Sequence, residues 1–376
     1  MPAVNNVLVV GAGLAGAGTA IHLASRGVAV DLIEIKPEVA ALGSGITLQG
    51  NALRELRSLG VWDQVQTAGY AFDVTGFRAP DPAGTVLFEV PDAKSGGPDY
   101  PAVMGMSRPE LARILHDRAA EVGVKLRYGI TFTELRQDDA GVDVTFTDGS
   151  TGRYDLVVGA DGVRSTVRQA LGVELETRPT GMGIWRAFGP RPADVTRTDL
   201  YYGGPSFIAG YCPTGEDSLY AYIVEEAQDR FAMTPEERLA TMKELSAPYH
   251  GPWDEIREQL TDPSRVNYTW FETHILPAPW NRGRIVLIGD ASHTCPPTMA
   301  QGGAQALEDA AVLSDLLLTR NTLDQDLWNA FHARRLDRAK AVVDASNQLG
   351  QWLLDHEQGD VPGLMRSIAV LVSDPA

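Results

Sequence analysis

The feature that most constrains this chain is an apolar strand that runs straight into three glycines. Val7-Leu8-Val9-Val10 is a continuous apolar run, the pattern of a parallel strand covered on both faces. It leads into Gly11-Ala-Gly13-Leu-Ala-Gly16, after which a helix is expected over Ala17 to Arg26 and a second strand over Val28 to Ile33. In such a turn Gly11 permits the tight bend, Gly13 lets backbone approach a pyrophosphate, and Gly16 allows close helix–strand packing. The helix N-terminus offers unpaired N–H groups and a positive dipole end to phosphate. Glu34 ends the second strand 23 residues beyond Gly11, close to the roughly 20 at which an acid meets ribose hydroxyls. The motif predicts a bound dinucleotide without separating FAD from NAD.

Two further glycine-bearing signatures follow in order. Asp155-Leu-Val-Val-Gly-Ala-Asp161-Gly162-Val-Arg164-Ser165-Thr-Val-Arg168 reads as a buried strand, a turn and the start of a helix. The i, i+4 spacing of Arg164 and Arg168 would place both on one helical face. Gly283-Arg-Ile-Val-Leu-Ile-Gly289-Asp290-Ala-Ser-His293 repeats the strand-to-loop logic. A carboxylate there, at the carboxyl end of a parallel strand, points into the crevice where such sheets bind ligands, so Asp290 is placed to accept from a ribityl chain.

The rest of the chain suggests interleaved domains. At 376 residues it is long for one core, and no flexible linker or repeat divides it. Helical spacing recurs at Ala52–Leu59, Glu110–Glu121 and Gly303–Thr319. Between about Trp185 and Phe271, short aromatic-rich runs separated by Gly, Pro and Asp predict an antiparallel sheet: Trp185–Phe188, Leu200–Tyr202, Ser206–Tyr211, Leu219–Val224 and Val266–Phe271. Val74–Arg78 and Thr85–Val90 read as a hairpin of that same sheet. The expected fold class is therefore α/β: a Rossmann-like dinucleotide-binding domain (1–72, 101–175 and 276–376, with C-terminal helices) interleaved with a mainly antiparallel β-sheet substrate domain (73–100 and 176–275).

Charge and cysteine content exclude several function classes. A net charge of −17 lacks the basic footprint needed for nucleic acid or anionic membrane surfaces. No run approaches the ~18 apolar residues of a membrane span. Two cysteines, Cys212 and Cys295, give neither a disulfide framework nor zinc-ligand spacing, so no metal is expected and the cytoplasm is the default location.

Taken together, the three signatures resemble those of the FAD-dependent aromatic hydroxylases of the para-hydroxybenzoate hydroxylase type, the single-component flavoprotein monooxygenases. The middle stretch is similar to that family's "DG" motif, and the late stretch to its "GD" motif with the loop Pro296-Pro-Thr-Met-Ala-Gln301-Gly302-Gly303. Ser107-Arg108-Pro-Glu-Leu111 resembles its Arg-x-x-Leu helix entry. The resemblance covers essentially the full length. It implies FAD as cofactor, NADH or NADPH as co-substrate, and O2 reacting through a flavin hydroperoxide with a small phenolic or heteroaromatic ring.

It also implies roles for particular residues. Gly11, Gly13 and Gly16 hold the pyrophosphate, and Glu34 the adenosine ribose, with Lys36 beside it in the cofactor set. Arg108 reaches the pyrophosphate or ribityl region, Asp161 and Asp290 complete the site, and Gln301, Gly302 and Gly303 open a helix whose positive end stabilises the reduced ring. Pro296 sits at the oxygen-reacting edge. Ala300 departs from the glycine of many relatives. No further C-terminal domain or anchor is expected, and a homodimer is compatible with the family.

On the substrate side, Tyr220 and Tyr222 share one strand face, while Arg186, a lone arginine in an apolar strand, needs a partner. These three join Pro296 as catalytic candidates. Trp185 and Tyr211 are candidates too, with plain sheet packing as the competing reading. His274 reads as a surface histidine rather than a base, His293 as structural, and Cys295 as a packing residue. Alternatives kept open are a flavin oxidase or dehydrogenase of the same fold, action on a larger polycyclic substrate, and a non-catalytic flavoprotein sensor.

Overall fold

The computed structural model of the chain describes residues 2–39 and 45–376. Its first layer is a six-stranded sheet in the order Asn281–Arg282, Ile285–Leu287, Leu156–Gly159, Asn6–Val10, Ala29–Glu34, Lys125–Tyr128. All neighbours are parallel except the two-residue edge strand. The sheet is covered on both sides, which is why Val7–Val10 and Leu156–Val158 are continuous apolar runs almost without solvent exposure. Helices Leu14–Ala24 and Gly302–Thr319 pack together, and a three-stranded antiparallel sheet (Phe132–Gln137, Val142–Phe146, Thr151–Tyr154) adds Val142, Val144 and Phe146 to the same core. The first helix begins at Leu14, three residues earlier than the sequence suggests, because the glycine turn opens directly into it.

The second layer is an eight-stranded sheet: His293–Thr294, Val266–Ile275, Arg178–Pro190, Ser218–Glu226, Ile208–Pro213, Asp199–Tyr201, Val74–Arg78 and Val86–Pro91. The hairpin thus joins the later strands, its Val74–Arg78 arm pairing in parallel with Asp199–Tyr201. Strand alternation gives the sheet two chemically distinct faces. Trp185, Ala187, Ala209, Tyr211, Ala221 and Ile223 form one core with Met242, Tyr249, Trp253 and Ile256. The intervening residues Ile184, Arg186, Tyr220, Tyr222 and Val224 lie on the other face.

Helices Pro235–Ser246 and Pro252–Gln259 interrupt the stretch expected to be mainly antiparallel sheet. The first carried a local signal: Thr234-Pro-Glu-Glu237 is a capping box, with the Thr234 hydroxyl accepting from Glu237 N–H and Glu237 accepting from Thr234 N–H. The 30-residue helix Gln325–Leu354 spans both layers. Phe331 lies in the parallel-sheet core, whereas Leu353 and Leu354 pack on Met182 and Phe271 of the larger sheet.

A small sheet (Gly45–Gln49, Val103–Ser107, Tyr70–Phe72) joins the two layers through glycines. A Cβ on Gly105 would lie 1.9 Å from the Pro213 carbonyl oxygen and 2.6 Å from Cys212 Sγ, and one on Gly45 would lie 2.5 Å from Tyr220 Cβ. Gly105→Ala should therefore force backbone apart at this seam and cost about 1–3 kcal/mol, read as an earlier urea midpoint. An unchanged midpoint would show that the seam yields.

Candidate active site

The three glycine signatures meet at the carboxyl ends of the parallel strands. Gly11 has φ +99°, and a Cβ there would lie 2.5 Å from Ala160 O and 2.9 Å from Asp161 Cα, so the first loop rests on the second. A Cβ on Gly16 would lie 1.8 Å from Gly11 O, whereas one on Gly13 would meet nothing within 4 Å. Gly289, at φ +58°, is packed so that a Cβ would lie 2.9 Å from Ala15 Cβ, bringing the third loop onto the first helix. Arg168, buried, donates to Ala291 O and Val163 O, both at 2.8 Å, and so ties the second loop to the third. Arg164 does not share its face: it precedes the helix Thr166–Ala170 and pairs outward with Glu272 at 2.7 Å.

Several expected cofactor residues turn out to hold the loops themselves. Glu34 accepts from Ala12 N–H and Lys36 N–H, both at 3.0 Å, anchoring the glycine turn to the end of the second strand. Asp161 accepts from Ser165 Oγ at 2.5 Å, from Thr166 N–H and hydroxyl, and from Val167 N–H. Those four bonds cap the helix Thr166–Ala170 and fill its carboxylate. The Gln301 side chain is 1% exposed and bonds inward to Gln49, Asn51 and Gln305. Only its backbone is left for a ligand. Gly302 is open, since a Cβ there would meet nothing within 4 Å, and Gly303 rests near Leu14 and Ile46.

Arg108 and Asp290 behave differently. Among the described residues Arg108 hydrogen-bonds only through Nε, donating to Gly45 O at 3.1 Å, and the Asp290 carboxylate has no hydrogen-bond partner. Both residues are exposed to solvent, yet surrounding protein shifts their titration, a combination that fits a cleft open to solvent. Burial, with Arg186 adding to it, holds Arg108 below its usual pKa; burial likewise pushes the Asp290 carboxyl up. Two free charged ends in one recess, an open glycine at Gly13 and a helix N-terminus at open Gly302 fit a dinucleotide lying across the strand ends.

Arg186 faces the same recess, its Nε donating to Tyr220 Oη at 3.1 Å and its Nη1 to Thr269 Oγ1. The Tyr220 and Tyr222 rings lie 5.1 Å apart, and burial raises the Tyr222 hydroxyl well above its usual pKa. Trp185 and Tyr211 belong to the opposite face. Trp185 donates to Glu225 and Tyr211 to Asp199, so packing is their role.

The loop under the recess rests on buried charge. Arg335, with no solvent exposure, bridges Glu308 at 2.8 Å and Asp309 at 2.6 Å. Asp309 accepts from Gly289 N–H and contacts His293 Nε2, both at 2.8 Å. Burial alone would raise the Asp309 carboxyl, but His293 and Arg335 hold it down to about 2. His293 is structural, as the sequence suggested, and Cys295 is a half-buried thiol pushed up to about 11 by burial. Pro296 is buried ahead of the turn Pro297–Met299.

His274 is not a surface histidine. It is 5% exposed, with Nδ1 on Thr177 Oγ1 at 2.8 Å and Nε2 on Asp290 O at 3.0 Å. The strand Val266–Ile275 runs on beyond the aromatic run and pairs with His293–Thr294, which carries His274 inside. No local motif marks the Arg335 cluster, because it forms only when the helix Gln325–Leu354 packs back on the preceding helix Gly302–Thr319.

An α/β fold with a glycine-lined recess at its parallel strand ends and an antiparallel wall across from it defines a nucleotide-dependent flavoprotein. The model of the FAD binding domain family matches residues 5–346, and the chain belongs to that family. It is 31% identical to the aurachin C monooxygenase/isomerase of Stigmatella aurantiaca, over 92% of this chain and 90% of the relative. It is 30% identical to the 6-hydroxynicotinate 3-monooxygenase of Bordetella bronchiseptica, over 94% and 93%. Klebsiella pneumoniae HpxO, solved with FAD and uric acid, shares the fold at a TM-score of 0.83 and 22% identity, covering 98% and 97% of the two chains. The protein is an FAD-dependent monooxygenase. Among the described residues no helix is long and apolar enough to cross a membrane, and no His, Cys, Asp and Glu group could hold a metal.

Two outcomes follow from this geometry. Ala300 sits at φ 52°, ψ 32°, a left-handed conformation that costs an L-residue roughly 1–2 kcal/mol. Ala300→Gly should raise thermal stability by up to about 1 kcal/mol once glycine's own entropy is counted; a lower Tm would contradict this. Burial lowers His22 and His274 from 6.5 to about 4. Their stabilisation is fully present above pH 6.5 and is lost as pH falls from 6.5 towards 4, because only the unfolded chain takes up those protons. Replacing His274 with Gln should flatten the Tm–pH curve in that window.

Proposed function

We propose that the protein hydroxylates a small phenolic or heteroaromatic ring held between the Arg186–Tyr220–Tyr222 wall and the Pro296–Gly303 loop. One observation carries the reading: Arg108, on the cofactor side, donates to Gly45 O, Gly45 packs directly on Tyr220, and Tyr220 accepts from Arg186. This contact chain supports reading the nucleotide recess and the substrate wall as parts of one site. In this assignment residues 1–72, 101–175 and 276–376 form the FAD-binding domain, and 73–100 and 176–275 the substrate domain. The strand His293–Thr294 crosses between them to pair with the larger sheet.

Gly11, Gly13 and Gly16 would receive the pyrophosphate, with Arg108 beside it and Asp290 accepting from ribityl hydroxyls. Glu34 would hold the ribose with whatever capacity its two backbone bonds leave, and Lys36 would stand next to it. Asp161 would act through loop shape, since its carboxylate is already filled. When bound, FAD supplies the redox chemistry, accepting electrons from NADH or NADPH and activating dioxygen.

The chain's own tasks are positional. Arg186, fixed by Tyr220 and Thr269, presents a positive charge to a phenolate or other electron-rich ring anion and favours its deprotonated form. The Tyr222 hydroxyl stays protonated across the physiological range and can donate a hydrogen bond. The apolar floor of the sheet excludes water from the reacting ring, and Pro296 and the backbone of Gln301 to Gly303 close the site opposite. The acidic chain with two free cysteines supports a cytoplasmic setting, and a homodimer is the assembly we expect in solution.

The test is NAD(P)H consumption by the FAD-loaded enzyme across hydroxybenzoates, aminobenzoates, hydroxypyridines and polycyclic phenols, with products read by mass spectrometry. A compound that speeds consumption and gains one oxygen atom is the expected result. Peroxide without oxygenated product would indicate an oxidase. Asp290→Ala should weaken FAD retention at least about 10-fold, the scale of one lost charged hydrogen bond, with the fold intact by circular dichroism.

A further inference from the structure

Strand register draws one straight row of residues across the larger sheet. Arg186 lies opposite Tyr222, Tyr222 opposite Gly210, Gly210 opposite Leu200, Leu200 opposite Phe77, and Phe77 opposite Phe88. Directly paired residues project to the same face, and strands lie ~4.8 Å apart, so the row is about 24 Å long. It changes character along its length. The inner end is the cationic and phenolic wall of the active site. Beyond it the side chains become apolar, half-buried at Leu200 and Phe77 and ending in Phe88 at 54% exposure.

The row has no gap. A Cβ on Gly210 would lie 2.9 Å from both the Tyr222 ring and Leu200 Cδ2, so those two side chains close over the glycine. Phe77 and Phe88 stack at 4.7 Å between centroids, and Tyr202, two residues past Leu200, stacks on Phe77 at 6.0 Å. The opposite face at this edge is ionic instead, with Glu89, Arg197, Asp199 and Arg78 paired among themselves. Phe77, Phe88 and Val90 thus carry the apolar track on the face that continues from the active site, while Val86 and Leu87 are exposed where the strand bulges. Packing of the fold does not require it, since Phe88, Val90 and Tyr202 remain 54%, 43% and 37% exposed. Exposed apolar surface that is continuous with a binding site marks a site for an apolar ligand group.

From this we infer that the track is a tail-binding subsite: the substrate is amphipathic, an aromatic head at Arg186 and Tyr222 bearing an extended alkyl or prenyl-like chain that lies over Leu200, Phe77 and Phe88. The inference rests on the ring-binding reading above and adds its second half. A ring without a chain would leave the outer track bare.

The experiment titrates FAD-loaded enzyme with 4-hydroxyquinoline and with 4-hydroxybenzoate, each unsubstituted and in an alkyl series from methyl to nonyl, below any micelle threshold. Binding is followed by calorimetry and by the flavin spectrum, and turnover by mass spectrometry. Each added methylene should tighten Kd about 2- to 4-fold, the range set by partial to full burial of a CH2 group. Phe88→Ser should abolish the gain for the longest chains only, and Tyr202→Ser the gain from mid-length onward, with the unsubstituted rings unaffected in both. Turnover of the bare rings with no dependence of Kd on chain length would overturn the tail subsite and leave the ring reading standing. Oxygenation of no compound, with FAD bound, would remove the ring reading and the subsite with it. Loss of a dimer in Phe88→Ser by sedimentation, with chain dependence unchanged, would overturn the subsite and assign the hairpin to contact between copies.

Discussion

The site depends on one buried cation. Arg335 reaches from the long helix Gln325–Leu354 into the parallel-sheet core and bridges Glu308 and Asp309. Each carboxylate then holds a different loop of the recess. Asp309 accepts from Gly289 N–H and meets His293, fixing the loop that carries Asp290. Glu308 accepts from Asn51, which in turn bonds Gln301 at the mouth of the helix Gly302–Thr319. Two adjacent carboxylates without exposure would repel each other and resist ionisation. With Arg335 between them, and Arg338 on Glu308, they stay charged and directional. Removing one partner of such a cluster leaves uncompensated buried charge, typically several kcal/mol of loss, so the loops and that long helix stand or fall together.

Close backbone approach does the remaining work of assembly. Gly11 against Ala160, Gly16 against Gly11, and Gly105 against Pro213 are contacts at which any side chain would intrude on a carbonyl oxygen. The first two stack the loops that bear the nucleotide side of the site, and the third seats the antiparallel sheet against it. Arg168 adds a buried fork between the second and third loops. Geometry at the recess is therefore set by backbone and buried charge, and the charged ends of Arg108 and Asp290 are left free for ligand.

Much of the fold was legible because the relevant signals are local. The run Val7–Val10, the glycine turn, Glu34 and the hairpin at 74–90 announce themselves within a few residues. The helix Pro235–Ser246 was also legible from its capping box, although the aromatic periodicity around it favours strand. Residue roles were less legible. Asp161 and Gln301 lie within the motif stretches, but their side chains are consumed in holding loops, and a motif does not show which way a side chain points. His274 was misplaced outright, since its burial depends on a two-residue strand that pairs with it from the third signature.

The sequence by itself determined the strand–glycine–helix unit, the order of the three signatures and the alternation that puts Tyr220 and Tyr222 on one face of their strand. These follow from short-range sterics and from the two-residue period of a strand. Which carboxylates remain available, which arginine reaches the core, and that an apolar row continues from Arg186 to Phe88 were decided only by tertiary structure. Those properties arise from contacts between residues tens to hundreds of positions apart, where burial and strand register, rather than residue type, fix the chemistry.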